Sequence, residues 1–187
     1  MSHRAAQVLF SVSLLLCAWY GMMAMHELGH VAGALVTGGK VELVVLHPLV
    51  ISRTDVDPNP HPAIVVWLGP IIGCLLPCLL LVLPTRSIVL RGSLQFFAGF
   101  CLIANGAYIG VGAWEEIGDC REMLRTGTPL WVMVAFGLVA VGGGLLVWHR
   151  LGSLRVFWRH PSLISWRWAF GTSLSLVSYV VVASLLS

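Results

Sequence analysis

The segment His26-Glu27-Leu28-Gly29-His30 puts two imidazoles and a carboxylate within five residues. Histidines at i and i+4 share one face of a helix, so both rings can reach one Zn²⁺ at about 2.0–2.1 Å. Glu27, next to that position, can take a proton from a metal-bound water, the chemistry for which HExxH on a helix is known. The motif lies in a long apolar run, where an ionisable side chain costs about 3 kcal/mol unless it is paired or bound. The bland alternative is a His–Glu hydrogen-bond network between helices.

A catalytic zinc takes three protein ligands and keeps one position open. The third ligand must therefore come from another part of the chain. The acidic stretch Trp114-Glu115-Glu116-Ile117-Gly118-Asp119-Cys120 offers candidates. Asp119, preceded by Gly118, is the expected ligand, with His47, His61 and Cys120 open as alternatives on the same side. Glu115 and Glu116 read equally well as a solvated loop. Asn105 is a lone amide in an apolar run, suited either to an interhelical hydrogen bond or to substrate contact.

These residues need elements to hold them, and the composition indicates which. Of 187 residues, 58% are hydrophobic and 10% charged, against roughly 25% charged in soluble domains. Lipid is the expected solvent, and length suggests a single unit over 1–187. Five stretches reach the roughly 20 apolar residues a spanning helix needs: about 5–36, 62–84, 92–113, 129–149 and 168–187. The first starts like a signal peptide but runs far past any such core, so it reads as a retained anchor. Residues 40–57 break the helical pattern. They are β-branched, bounded by Thr37-Gly38-Gly39 and Pro58-Asn59-Pro60, and predict two short strands forming a hairpin.

Charge divides the loops. Arg4, Arg86, Arg91, Arg150, Arg155, Arg159 and Arg167 fall on one predicted face without an acid, whereas Lys40, Arg53, Arg121 and Arg125 share the other with seven acids. This favours a cytoplasmic N-terminus and puts the HExxH segment nearer the outer face. His149, His160 and Trp148, Trp158, Trp166 and Trp168 are expected at the cytoplasmic headgroup zone. Nothing in this pattern suggests nucleic acid. Gly29/Gly33, Gly69/Gly73 and Gly106/Gly110 have the small-xxx-small spacing of closely packed membrane helices and predict that spans 1, 2 and 3 form the packed core. The five cysteines form no CxxC pair. Most lie in apolar runs and read as packing groups, Cys74 and Cys78 included.

With HELGH in a span, a β-like segment after it, Gly69-Pro70 in the next span and Asn105 ahead of Asp119, the chain resembles the site-2 protease (M50) family over roughly 20–128. It is most similar to short M50-like membrane proteins with a GDxxxxLRxGxP segment, here Gly118 to Pro129. The resemblance implies peptide hydrolysis in or near the bilayer, with one Zn²⁺ held by His26, His30 and Asp119. It also implies Glu27 as general base and Asn105 as a substrate-positioning residue. The expected protein is an all-α polytopic membrane protein with a short hairpin after its first helix, set in a bacterial plasma membrane. It would act on membrane protein or peptide substrates. A catalytically silent subunit, assembling with a larger membrane complex, is the alternative.

Overall fold

The computed structural model describes residues 2–150 and 163–186. Arg155, Trp158, Arg159 and His160 lie outside the described residues. Six helices are present among those described: α1 (His3–Val36), α2 (Pro62–Leu79), α3 (Ile88–Glu115), α4 (Gly118–Arg125), α5 (Leu130–Arg150) and α6 (Trp166–Leu186). All but α4 are long and apolar enough to cross a membrane. Their starts follow local chemistry. Ser2 caps α1 by accepting from the Ala5 N–H, Ser87 caps α3 by accepting from Leu90, and Pro62 opens α2, where its missing N–H costs nothing. The expected spans stand within a few residues of these bounds, and a 3₁₀ turn (Leu80–Val82) ends the second.

Glycines set how closely the helices approach. A Cβ at Gly29 would run into the Leu68 carbonyl, and one at Gly33 would press on the Val65 backbone, so α1 and α2 meet almost backbone to backbone. Gly106 and Gly110 behave differently from expectation. They face Ala140 and Gly137 of α5 rather than the first two spans, and α3–α5 is the most extensive helix pair in the bundle. The packed core therefore includes the fourth span. Trp148 closes the far end of this pair, its ring stacked on Phe96 at 5.4 Å, its indole N–H donated to the Phe96 carbonyl and its edge filling the notch at Gly99. The last helix, α6, runs beside α1 through a Ser13–Ser173 hydroxyl pair at 2.9 Å and the stacked rings of Tyr20 and Tyr179.

The hairpin is real and antiparallel. Strand β1 (Val41–Val45) pairs with β2 (Arg53–Val56), Val44 opposite Thr54, with an irregularity between Val41 and Leu43. Alternation along β2 turns Thr54 and Val56 toward the protein and leaves Arg53 and Asp55 exposed. The hairpin does not stand clear of the bundle. The Leu46 carbonyl accepts from Tyr179 Oη at 3.3 Å, and Tyr179 stacks on Tyr20, sixteen residues before the end of α1. At 1.5 Å per residue this is about 24 Å along the helix. Its tip therefore descends along α1 toward the middle of the bundle.

After α3 the chain reverses through Glu116 and Gly118, both at φ +50°, and begins α4. The acidic stretch is thus a turn between two helices, and the amphipathic α4 buries Cys120 and Met123 against the bundle.

Candidate metal centre

His26 and His30 sit on one face of α1, about 15 Å and 9 Å short of its C-terminal end. Both are buried, and their rings meet edge to face at 4.8 Å. Each ring is held from behind. His30 Nδ1 lies 2.9 Å from the Val65 carbonyl of α2, which can only accept, so that nitrogen carries the proton. His26 Nδ1 lies 2.6 Å from Asn105 Oδ1. The Asn105 amide nitrogen donates to the Cys101 carbonyl at 2.9 Å, which orients the amide and makes its oxygen the acceptor from His26. Both imidazoles are therefore Nδ1–H tautomers, and both Nε2 lone pairs face forward.

They face each other and Asp119. The two Nε2 atoms are 3.0 Å apart, and Asp119 Oδ2 lies 2.7 Å from that of His26 and 3.3 Å from that of His30. Three acceptors converge with no proton of their own between them, so a cation or an added proton must satisfy them. Ligands at tetrahedral zinc, 2.0–2.1 Å from the ion, stand about 3.3 Å apart; the observed edges of 2.7, 3.0 and 3.3 Å would open by a few tenths of an ångström to take the ion. Outer partners that fix the tautomer of each imidazole are the usual companions of metal-binding histidines. The residues fit a zinc ion.

Asp119 reaches this point because of how α4 starts. Gly118 adopts a left-handed backbone, and a Cβ there would strike Tyr108 Oη. The same oxygen accepts the Asp119 N–H at 3.0 Å. Cys120, next in sequence, sits in the notch left by Gly112 and points at the Tyr108 and Ile109 carbonyls. The carboxylate lies in the first turn of α4, where a negative charge is favoured. Burial pushes the Asp119 carboxyl up. In the metal-free cluster, where an added proton on the facing Nε2 atoms takes the place of the cation, hydrogen bonds and charge from His26 and His30 outweigh burial and hold the group below the usual carboxylate range.

The glycines of α2 make room for the site. A side chain at Gly69 would enter the His30 ring, and one at Gly73 would crowd the Asn105 amide. A spacing that reads as helix packing thus also seats the His30 and Asn105 side chains. Glu27, 3% exposed, accepts a hydrogen bond on Oε2 from Thr54 Oγ1 of β2 at 2.8 Å. A cavity of ≈ 1450 Å³ opens over the group, bounded by α1, α3, the start of α4 and the hairpin.

Of the residues picked out from sequence, His26, Glu27, His30, Asn105 and Asp119 all come together here. Asn105 does so as a partner of His26, with its oxygen and one N–H already engaged and 1% of its surface exposed. The alternative ligands are elsewhere: His47 accepts from the Leu49 N–H in the hairpin turn, His61 precedes α2, and the Cys120 thiol points away. Glu115 and Glu116 are exposed. Sequence reasoning passed over Thr54, Tyr108 and the Val65 carbonyl. Alternation in Arg53-Thr54-Asp55-Val56 was a signal for the first, whereas nothing local marks the other two. Comparison of the chain with family profiles, with curated proteins and with solved structures finds no match.

Proposed function

We propose that this protein is a zinc-dependent intramembrane metallopeptidase of the site-2 protease type, cutting membrane protein or peptide substrates. One observation carries the reading. Two buried imidazoles, their Nδ1 protons committed behind them, aim both Nε2 atoms at one Asp119 oxygen, and Glu27 borders the same cavity.

His26, His30 and Asp119 would hold the ion, leaving one tetrahedral position for water or substrate. When bound, zinc polarises a carbonyl oxygen and acidifies a water at that position. Glu27 accepts the proton of the attacking water as its oxygen bonds to the carbonyl carbon. It returns that proton to the amide nitrogen as the C–N bond breaks. Asn105 and the Val65 carbonyl keep the imidazoles in the tautomer this requires. Each strand of the two-stranded sheet has an unpaired edge, which suits an extended substrate segment whose carbonyl a helix would hide. The five long apolar helices support a place in a bilayer. The arginine-only face favours a cytoplasmic N-terminus.

The test is Glu27→Gln in the purified, zinc-loaded protein, with fluorescein-labelled casein as the probe. We expect about one zinc per chain in both forms and at least a 100-fold loss of cleavage in the variant. Wild-type protein that takes up no zinc, or a variant that cuts as fast as wild type, refutes the reading.

A further inference from the structure

We propose that Thr54 is a positioning residue for Glu27, so that the hairpin forms part of the catalytic apparatus. The proposal rests on the metallopeptidase reading and extends it to a residue outside the metal-binding helices.

Among the described residues, the Glu27 carboxylate has a single hydrogen-bond donor, Thr54 Oγ1 at 2.8 Å. A carboxylate can only accept, so the threonine hydroxyl gives its proton to Glu27. The bond takes Oε2 and leaves the other oxygen for a water. Glutamate has three side-chain torsions, and α1 alone would let its end group wander. One fixed hydroxyl selects a single orientation, and a misplacement of about 1 Å at a reacting group can cost about 100-fold in rate.

Thr54 is itself held firmly. It sits inside the paired ladder opposite Val44, on the strand face turned toward the protein. A slip of one residue would bring Arg53 or Asp55 against Glu27 instead. Where the hairpin joins the bundle, Gly39 N–H donates to the Ala34 carbonyl of α1, and the Lys40–Pro58 and Asp57–Lys40 backbone bonds close the base of the hairpin. Near its turn, Leu46 is tied to Tyr179. Glu27 is thus set by an element anchored at both ends, whose free edge is also where an extended segment would pair. The element that would seat a substrate is thus the one that orients the base.

The experiment compares Thr54→Val, which keeps shape and strand preference, with Thr54→Ser, which keeps the hydroxyl. Both are measured in the full-length zinc-loaded protein with labelled casein. We expect Thr54→Val to lower kcat about 10- to 100-fold, with KM and zinc content unchanged, and Thr54→Ser to recover most of the rate. Unchanged kcat in Thr54→Val, or equal impairment in both variants, overturns the proposal. A second measurement is independent of activity: thermal unfolding of Thr54→Val in the wild-type and Glu27→Ala backgrounds. A Tm shift present in the first and absent in the second supports the coupling, and equal shifts overturn it. If wild-type protein cuts casein no faster than Glu27→Gln, the metallopeptidase reading fails while this cycle still judges the contact.

Discussion

Each Nδ1 at the centre has one partner and therefore one protonation state. Asn105 illustrates how much rests on a side chain that would never touch the metal. Its amide is read unambiguously because the Cys101 carbonyl can only accept, and from that follow the His26 tautomer and the forward lone pair. Asn105→Ala should let the His26 ring turn and protonate on either nitrogen, weakening zinc binding about 10- to 100-fold. Competition with a chromogenic chelator measures this, and undiminished affinity would remove Asn105 from the site. Tyr108 acts one step further out, accepting the N–H of Asp119 and so fixing where the carboxylate starts.

Helices α1 and α2 bring their backbones together at Gly29 and Gly33, and that closeness lets His30 reach the Val65 carbonyl. Gly69 lies directly beneath the ring. Gly69→Ala places a methyl group where the imidazole sits, and overpacking of this kind costs about 1–3 kcal/mol. We expect a lower Tm together with weaker zinc binding. Gly143→Ala, whose added Cβ meets nothing within 4 Å, is the control and should lower neither. The two effects appearing together distinguishes a glycine that seats a ligand from one that only packs helices. The hairpin is the other element whose placement matters, since β2 turns Thr54 inward and leaves Arg53 and Asp55 exposed.

Across the whole molecule, Asp119 joins regions ninety-three residues apart in the chain. It locks α4, and with it the α3–α5 connection, onto α1. Its folded-state carboxyl lies below the usual range, so the unfolded chain binds more protons as the medium is acidified. The stability it contributes is complete above the ordinary aspartate value of about 3.9 and disappears as pH falls through the lower folded value. In metal-free protein, wild type should lose Tm below about pH 4. Asp119→Asn should start lower and lack that acid-dependent component. Parallel acid slopes in the two proteins would show that the His–Asp cluster does not help to hold the bundle together.

Most of the architecture was legible in the residues because its signals are local and strong. Apolar runs of sufficient length become helices, β-branched residues between glycine and proline become the hairpin, and HExxH on a helix aligns two rings through a 3.6-residue period. Those are local consequences of chain geometry. What only the tertiary structure decided are relations between helices: that Gly106 and Gly110 face α5, that Asn105 stands behind His26, that Cys120 turns away while Asp119 turns in, and that Thr54 meets Glu27. A helix presents all its faces equally in sequence, and in a bundle whose outer faces are as apolar as its core no polar stripe marks which face looks inward. Close packing at glycines and the directed bonds of a few buried polar groups make that choice, and both depend on neighbours distant along the chain.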